Sequence, residues 1–354
     1  MNDKIDKTRQ LLRENELDAV LITGSANRRY LSGFSGSSGA LLIGREQAYI
    51  ITDFRYIEQA KEQAGGFAVK RWKDDFNQSL AMVVKDAGWL KLGFESKHVA
   101  YSAFREMKEK LSAELVPLET TAEKQRAIKN ETELSILRKG AKVLDRSFEY
   151  ICAIARPGMT EKELSLDLEM FLRKEGAEEK AFSFIVASGL RGAMPHGIAS
   201  DKKMDRGEMV TIDFGGIFDG YATDMTRTVA LGKPDQRSVD IYNIVCEAQN
   251  KAASSVKPGL KGSELDAVAR DIIGRAGYKE YFGHGLGHGV GLETHEQPVL
   301  NPRSETVLEP GMIVTIEPGI YIPGWGGVRI EDMVLVTEKG CEPFFSSSRD
   351  LIII

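Results

Sequence analysis

The chain contains one apolar strand pattern twice, and each copy runs into a carboxylate. Residues 210–231 read VTIDFGGIFDGYATDMTRTVAL, and residues 314–320 read VTIEPGI. The first apolar run ends in Asp213 and the second ends in Glu317. A buried carboxylate without a partner is energetically costly, so each acid requires a compensating group. The pattern restricts the fold to one that presents the same acidic strand twice.

The sequence around these acids repeats as well. RPGMTEKEL at 156–164 matches KPGLKGSEL at 257–265, an offset of 101 residues. The two strand acids align at an offset of 104, and a second acid in each copy, Asp224 or Glu331, aligns at 107. Each copy has the order helix, Pro-Gly turn, helix, glycine, strand, acid, turn, acid. We therefore predict two copies of one α+β unit related by a pseudo-twofold axis.

Each pair of acids is predicted to lie on one face of a hairpin. Asp219-Gly220, close to the midpoint of the first pair, is a typical tight-turn dipeptide, and Gly324 is the midpoint of the second pair. Acids directly opposite each other across antiparallel strands lie close together, and four convergent carboxylates repel unless cations separate them. The alternative is that they are solvated acids at strand ends, paired with Arg227 and Arg329. The duplicated register favours the cation site.

A glycine-rich run supplies imidazole groups for such a site. The run is GHGLGHGVGLETHEQP at 283–298, and it holds three of the chain's five histidines. These three are His284, His288 and His295. Glycines let a backbone approach a ligand closely. His196, in AMPHG, occupies the corresponding stretch of the first repeat, whereas the isolated His98 is interpreted as a surface or structural residue.

The chemistry of these groups favours divalent ions. Several carboxylates with an imidazole suit two ions of the Mn, Fe, Co or Zn type, with positions left for water. Calcium would fit the oxygens alone. Two ions that share carboxylates lower the pKa of a water molecule and polarise a carbonyl, which predicts hydrolysis of an amide or ester. HExxH and GxSxG motifs are absent, and the three cysteines form no CxxC pair.

The set Asp213, Asp224, His288, Glu317 and Glu331 resembles the five metal ligands of the pita-bread metallopeptidases. GHGLGHGVGLETHE is similar to the signature of their prolidase and aminopeptidase P branch. The resemblance covers essentially the whole chain, because an N-terminal domain like this one is typical of that branch and of creatinase. Thr294 departs from the family pattern, in which a β-branched aliphatic residue precedes the histidine.

The resemblance implies a role for each metal ligand. Asp224 and Glu331 would bridge both ions, Asp213 would complete one ion, and His288 and Glu317 would complete the other. Glu317 would also carry a proton from the bridging water towards the leaving nitrogen. The implied cofactor is two divalent ions per chain, Mn²⁺ first, with Co²⁺, Zn²⁺ or Fe²⁺ as alternatives.

The resemblance also implies the substrate and its contacts. His196 and His295 would hydrogen-bond the substrate carbonyl or the tetrahedral intermediate, and His284 would line the pocket near the proline ring. Arg329 would orient the carboxylates. The family cleaves the bond between an N-terminal residue and a following proline, usually as a homodimer or higher homo-oligomer.

Competing functions differ in what they require of the chain. A dipeptidase (prolidase) and an aminopeptidase P that accepts longer peptides use the same ligands, and the compact chain without a middle domain favours the dipeptidase. Methionine aminopeptidase normally lacks the N-terminal domain, and creatinase lacks the metal ligands. A non-catalytic binding protein on this scaffold would have lost several of the five ligands.

The domain organisation and setting follow from patterns along the whole chain. Strands alternate with helices in the first third, which predicts an α/β domain at 1–122, followed by an α+β domain at 123–354. The resemblance implies that the first is a creatinase-like domain and the second a pita-bread catalytic domain. The net charge of −5 without a long basic run argues against a nucleic-acid partner. No apolar segment is long enough to span a bilayer, and the polar start with isolated cysteines predicts a cytoplasmic protein.

Overall fold

The computed structural model describes residues 3–354, which divide into two compact units. The first unit ends at Arg126, and the second spans Ala127–Ile354. The sequence-based ranges of 1–122 and 123–354 for the two domains stay a prediction. None of the helices between residues 3 and 354 combines the length and the apolar character that crossing a membrane requires.

The first unit is built on one six-stranded mixed sheet, ordered β4-β3-β2-β1-β5-β6. Its elements are α1 (Asp3–Glu14), β1 (Ala19–Ile22), α2 (Ser25–Ser32), β2 (Ala40–Gly44), β3 (Ala48–Thr52), α3 (Ile57–Gln63), β4 (Ala68–Arg71), α4 (Phe76–Asp86), β5 (Lys91–Glu95), α5 (Tyr101–Lys110), β6 (Glu114–Leu118) and the short α6 (Glu123–Ala127). β1 runs antiparallel to β2 and parallel to β5. Every residue of β1 and β2 is buried. Their residues are apolar without polar alternation, as expected of strands that are covered on both faces. Lys70 and Arg71 are exposed on the edge strand β4, and charges there protect an open edge.

The second unit carries the duplicated sequence. Its elements are α7 (Glu131–Ile154), α8 (Glu161–Lys174), β7 (Glu179–Lys180), β8 (Ile185–Ser188), β9 (Met209–Phe214), β10 (Gly216–Phe218), β11 (Tyr221–Ala222), β12 (Met225–Ala230), α9 (Gln236–Ser255), α10 (Gly262–Arg275), β13 (Gly287–Gly289), β14 (Glu296–Leu300), β15 (Ile313–Ile316), β16 (Gly319–Ile322), β17 (Gly326–Arg329), β18 (Asp332–Thr337) and β19 (Gly340–Pro343). Three 3₁₀ turns, at Phe54–Tyr56, Gly189–Ala193 and Lys279–Tyr281, complete the secondary structure of the described residues.

The predicted duplication is present in the helices. α8 and α10 have the same length and begin 101 residues apart, at Glu161 and Gly262. Thr160 caps α8 and exchanges hydrogen bonds with Glu163, whereas at the start of α10 the backbone N–H of Lys261 donates to Glu264 Oε2 at 2.8 Å. α7 and α8 pack into one apolar core, whereas α9 and α10 pack into another. Each helix pair therefore has its own core, and strands of both repeats contribute residues to both cores.

The first acidic hairpin has a register different from the predicted one. Asp219 and Gly220 form its turn, both with positive φ (44° and 76°), and Phe218 pairs with Tyr221. This two-residue turn sets Asp213 opposite Thr226 rather than opposite Asp224. The prediction of directly opposed acids is wrong here. Asp224 instead lies two residues before Thr226 on the same face, so the acids are diagonal neighbours.

The second acidic hairpin has the predicted register. β16 and β17 pair around the loop that contains Gly324, and β15 and β18 continue the ladder on the far side of the acids. The two ladders share one register, which sets Glu317 and Glu331 opposite each other. The repeats therefore differ in how their acids are aligned, although all four point to a common region.

A buried ion pair joins the two repeats beside the acids. Arg227 in β12 and Asp332 in β18 have side chains that are 1% and 0% exposed, and Arg227 Nη2 donates to Asp332 Oδ1 at 2.8 Å. Asp332 also accepts from Gln249 Nε2 at 2.9 Å and from Arg349 Nε. Arg227 Nη1 donates to the carbonyl of Glu331 at 2.6 Å. The pair fixes the backbone next to one acid of the second hairpin.

We expect Asp332→Asn to lower the free energy of unfolding by about 3–5 kcal/mol, because it leaves the buried Arg227 charge without a counterion. Urea unfolding of the metal-free protein, followed by circular dichroism, measures the change. The control is Glu305→Gln, since the Lys261–Glu305 pair is 46% and 77% exposed. It should change stability by less than about 1 kcal/mol. Equal effects of the two substitutions would contradict the role of the buried pair.

Candidate metal centre

Five predicted ligands converge where strands of the two repeats end. Asp213 lies at the end of β9 and Asp224 directly precedes β12, while Glu317 follows β15 and Glu331 precedes β18. His288 lies at the centre of β13, the neighbour of β15. The three acids Asp213, Asp224 and Glu331 are buried, and the other two side chains are largely covered.

The distances between these side chains are those of one polar cluster. His288 Nε2 lies 3.3 Å from Glu317 Oε1 and 3.7 Å from Asp224 Oδ2. One ligand atom from each of Asp224, His288 and Glu331 lies within 4.8 Å of the others. A single cation can therefore be reached by groups from both repeats.

The backbone around His288 aims its ring at the acids. His288 Nδ1 lies 3.1 Å from the carbonyl of Gly289, so Nδ1–H donates there and Nε2 faces the carboxylates. The flanking Gly287 and Gly289 pack so tightly that a Cβ would lie 2.0 Å from the Thr315 carbonyl and 2.1 Å from the Gln297 carbonyl. Glycine is required at both positions for this strand to enter the sheet.

The electrostatics of the cluster indicate missing positive charge. Burial is the larger cause, and repulsion from neighbouring carboxylates the second, that raise the pKa of Asp224 and of Glu331 well above the usual range. Burial also acts against the charged forms of Glu317 and His288. Their mutual hydrogen bond and attraction outweigh it, lowering the pKa of Glu317 to about 2 and raising the pKa of His288 to about 9. Without a cation, Asp224 and Glu331 are therefore neutralised by protons.

These residues fit divalent cations. Asp213 Oδ1 is buried and has no hydrogen-bond partner among residues 3–354, although Oδ2 of the same carboxylate is bonded. A buried oxygen without a donor is uncommon in a native protein and suits a ligand position. Hard carboxylate oxygens with one imidazole nitrogen are donors for Mn²⁺, Fe²⁺, Co²⁺ or Zn²⁺.

The pKa shifts predict how metal-free stability depends on pH. The pKa of His288 is about 9 when folded and 6.5 when unperturbed, so its stabilisation is complete below about pH 6.5 and is lost as pH rises through 9. Asp224 and Glu331 also have raised pKa values, so their contribution is likewise lost on raising the pH. Glu317 acts in the opposite sense, because its stabilisation is lost only as pH falls from 4.5 towards 2.

We therefore expect the Tm of EDTA-treated protein to decrease as the pH rises from 6.5 to 9. Mn²⁺ should replace the protons, so the Tm difference between Mn²⁺-loaded and metal-free protein should grow over this range. Differential scanning fluorimetry with Mn²⁺ or EDTA, in a matched series of buffers, measures both. A Tm difference independent of pH would contradict proton displacement at these groups.

A hydrogen-bond network of Arg329, Tyr321 and His284 holds Asp213. Arg329, which is buried, donates from Nη2 to Asp213 Oδ2 at 2.6 Å and from Nη1 to the Tyr321 hydroxyl at 2.9 Å. Burial raises the pKa of Tyr321 to about 12, so its proton stays in place. His284 Nδ1 lies 2.7 Å from the Gly285 carbonyl and donates to it, which leaves Nε2 to accept from the Tyr321 hydroxyl at 3.0 Å. His284 is thus tied to the metal cluster through Tyr321 and Arg329.

The two remaining histidines lie on exposed loops beside the cluster. The His295 ring lies 4.2 Å from the His288 ring, measured between centroids. Partial burial of the ring lowers the pKa of His295, and the neighbouring His288 and His196 lower it further, against the opposing effect of Glu317. Pro195, next to His196, accepts from Arg329 Nη1 at 3.2 Å. The predicted roles of both histidines stay predictions.

Three contacting residues were missed by the sequence analysis. Thr226 Oγ1 donates to Glu331 Oε2 at 2.7 Å, and Thr315 Oγ1 donates to Glu317 Oε1 at 3.2 Å. Tyr321 is the third. Thr226 and Thr315 each lie two residues from a predicted ligand on a strand, so the period of two would have found them. No sequence pattern indicated Tyr321, because the pairing of β16 with β17 is what brings its hydroxyl to Arg329.

The alternative that arginines neutralise the acids is wrong in part. Arg329 pairs with Asp213, whereas Arg227 pairs with Asp332, which is none of the four acids. Among the described residues, no ion pair with lysine or arginine involves Asp224 or Glu331. One arginine beside four carboxylates therefore neutralises only Asp213.

The first unit has a smaller cluster of Glu95, His98 and Glu123. The Glu95 carboxylate accepts from the backbone of Thr23 and Gly24 at 2.5 and 2.7 Å, and from Asn27 Nδ2 at 2.6 Å. Its oxygens are satisfied by protein donors, so this cluster has a structural explanation. His98 is exposed, as the sequence analysis predicted for a surface residue.

The fold and the cluster define a metal-dependent peptidase, and comparison with known families agrees. The model of metallopeptidase family M24 matches residues 135–338, and that of the creatinase/prolidase N-terminal domain matches residues 4–128. The chain belongs to metallopeptidase family M24. The predicted creatinase-like domain, pita-bread fold and peptidase class are confirmed, and the family implies divalent metal ions.

Individual relatives match over almost their whole length. A solved Xaa-Pro dipeptidase from Bacillus anthracis is 48% identical, with a TM-score of 0.98 and coverage of 99% of both chains. An Xaa-Pro dipeptidase of Pyrococcus horikoshii is 41% identical over 99% of this chain and 99% of its own. An X-Pro aminopeptidase structure from Thermotoga maritima is 38% identical, with a TM-score of 0.90, and covers 99% of this chain and 100% of its own.

Proposed function

We propose that this chain is an Xaa-Pro dipeptidase that hydrolyses the peptide bond before proline with two divalent metal ions. The observation that carries the proposal is the convergence of four carboxylates and one imidazole, from both repeats, on one buried cluster. Relatives named Xaa-Pro dipeptidase, at 48% and 41% identity over almost the whole chain, support the substrate class.

The proposed ligands are the five residues that the sequence singled out. Asp224 and Glu331 would hold both ions, Asp213 would complete one, and His288 and Glu317 would complete the other. Bound ions would supply Lewis acidity and lower the pKa of a water molecule. Mn²⁺ is the proposed metal, with Co²⁺, Zn²⁺ or Fe²⁺ as alternatives, since all accept carboxylate oxygens and imidazole nitrogen.

The side chains of the cluster would handle the proton and the charge. Glu317 would take the proton released when water attacks the scissile carbonyl carbon, and deliver it to the proline nitrogen as the C–N bond breaks. The hydrogen bond from the Thr315 hydroxyl to Glu317 Oε1, at 3.2 Å, would hold the carboxylate for this transfer. His295 and His196 would donate hydrogen bonds to the negatively charged carbonyl oxygen.

Two further residues would shape the site. Arg329 would fix Asp213 through their buried ion pair, and His284 would line the pocket that receives the proline ring.

The catalytic groups belong to the proposed domain at 123–354, with a creatinase-like domain at 1–122. We also propose that the protein is a cytoplasmic homodimer or higher homo-oligomer. We propose that it has no nucleic-acid partner, and the net charge of −5 supports this last point.

Aminopeptidase P activity on longer peptides is the second candidate, and the Thermotoga maritima X-Pro aminopeptidase structure is the observation that favours it. The test is a paired assay of Mn²⁺-loaded protein on an Xaa-Pro dipeptide and an Xaa-Pro-Xaa tripeptide, with an EDTA control. The proposal expects EDTA-sensitive turnover of the dipeptide alone. Turnover of the tripeptide would assign aminopeptidase P, and no turnover of either peptide despite bound metal would refute the substrate class.

A further inference from the structure

Thr226 lies at the junction of three proposed metal ligands. It belongs to β12, is fully buried, and lies two residues after Asp224 on the same face of the strand. The sheet register pairs it with Asp213 on β9. Glu331, from the other repeat, donates its backbone N–H to the Thr226 carbonyl at 3.0 Å. Thr226 therefore contacts ligands on both sides of the pseudo-twofold axis.

Its hydroxyl makes two bonds of defined direction. Oγ1 accepts from Arg329 Nε at 3.2 Å, because a guanidinium only donates, and it donates its single hydrogen to Glu331 Oε2 at 2.7 Å. Arg329 in turn donates to Asp213. One hydroxyl thus connects the carboxylate of Glu331 to the guanidinium that holds Asp213.

The fold itself does not call for a hydroxyl at this position. Offset by the 107 residues that relate Asp224 to Glu331, the equivalent position in the second repeat is Met333, which is also fully buried. An apolar side chain therefore occupies the same place in the other copy. The hydroxyl of Thr226 is explained by the carboxylate it contacts and not by the packing of the strand.

We propose that Thr226 is a positioning residue that holds Glu331 in the orientation needed to bind cations. The bond to Oε2 restrains the carboxylate before a metal arrives, so less rotamer freedom is lost when an ion binds. This inference rests on the proposed metal centre and adds to it a residue that touches no ion.

The test measures metal affinity rather than turnover. We expect Thr226→Val, which removes the hydroxyl and keeps the branched shape, to weaken Mn²⁺ binding by about 10–100-fold in isothermal titration calorimetry. Thr226→Ser, which keeps the hydroxyl, should bind Mn²⁺ close to the affinity of the wild type. Thr226→Ala provides a second hydroxyl-free variant, and it should also bind more weakly.

Thr228→Val is the matched control. Thr228 is equally buried on β12, but its hydroxyl donates to the Arg329 carbonyl at 2.8 Å and lies 3.0 Å from the Thr211 hydroxyl, without reaching a proposed ligand carboxylate. It should lower the metal-free Tm about as much as Thr226→Val and leave Mn²⁺ affinity unchanged.

The outcomes separate this inference from the proposed function. Wild-type affinity in the Thr226→Val and Thr226→Ala variants would overturn it, as would an equal loss of affinity in Thr228→Val, which would indicate a general effect of the strand. If the wild type itself binds no Mn²⁺, the metal centre fails and this inference fails with it. Loss in the Val and Ala variants, with recovery in the Ser variant, supports the positioning role.

Discussion

Glu331→Gln is expected to release Mn²⁺ from both positions and to lower kcat/KM on an Xaa-Pro dipeptide by about 10³-fold or more. The amide has the same size but no charge, and Glu331 is proposed to hold both ions. Losing metal assistance removes several kcal/mol of transition-state stabilisation, and each 1.36 kcal/mol is about tenfold in rate. Metal content per chain after dialysis, by atomic absorption, and steady-state kinetics measure the two effects.

The same variant distinguishes lost ligation from lost folding. Burial raises the pKa of Glu331, so a neutral glutamine should leave the metal-free protein at least as stable as the wild type. Its Tm in EDTA should not fall. Glu342→Gln is the control, because that carboxylate is 50% exposed and pairs with Arg138 on the surface. Two retained ions with full activity in Glu331→Gln would refute the proposal that this residue holds both.

His295→Ala is expected to lower kcat by about 10²–10³-fold while the metal content stays at the wild-type level. The His295 ring packs against His288 but lies on an exposed loop, and it is proposed to stabilise charge on the substrate carbonyl oxygen. Removing such a donor acts on the transition state, so KM should change much less than kcat.

Steady-state kinetics and metal analysis of one protein preparation provide both readouts. His98→Ala, at an exposed histidine of the first unit, is the matched control and should leave kcat and metal content unchanged. If His295→Ala loses its metal, the residue contributes to ligation. If it keeps full kcat, the assignment of His295 to the carbonyl oxygen is wrong.

The metal cluster was predictable to the extent that its signals are local. Local patterns indicated the four acids, because two similar apolar runs end in acids and a second acid follows each, whereas the resemblance to the pita-bread metallopeptidases selected His288 among the three histidines of the glycine-rich run. The turn at Asp219-Gly220 was readable for the same reason, since both residues adopt positive φ. Repetition of these short patterns at offsets of 101 to 107 residues then indicated the duplicated fold.

The register of the first hairpin was not predictable with the same certainty. Moving the centre of a turn by one residue changes which side chains are paired, and the two-residue turn sets Asp213 against Thr226. The same shift gives Thr226 its place among the ligands. A prediction that pairs the two acids directly therefore overlooks the residue that contacts Glu331.

The strands, the turns and the convergence of the four acids were predictable from local sequence, because hydrophobic period and turn chemistry act over a few residues. Which donor each acid contacts depends on tertiary packing. Arg227 and Arg329 look alike in the sequence, yet one pairs with Asp332 across 105 residues and the other with Asp213 across 116. Such pairs are selected when distant strands pack and bury their charges, and local propensity contains no information about that choice.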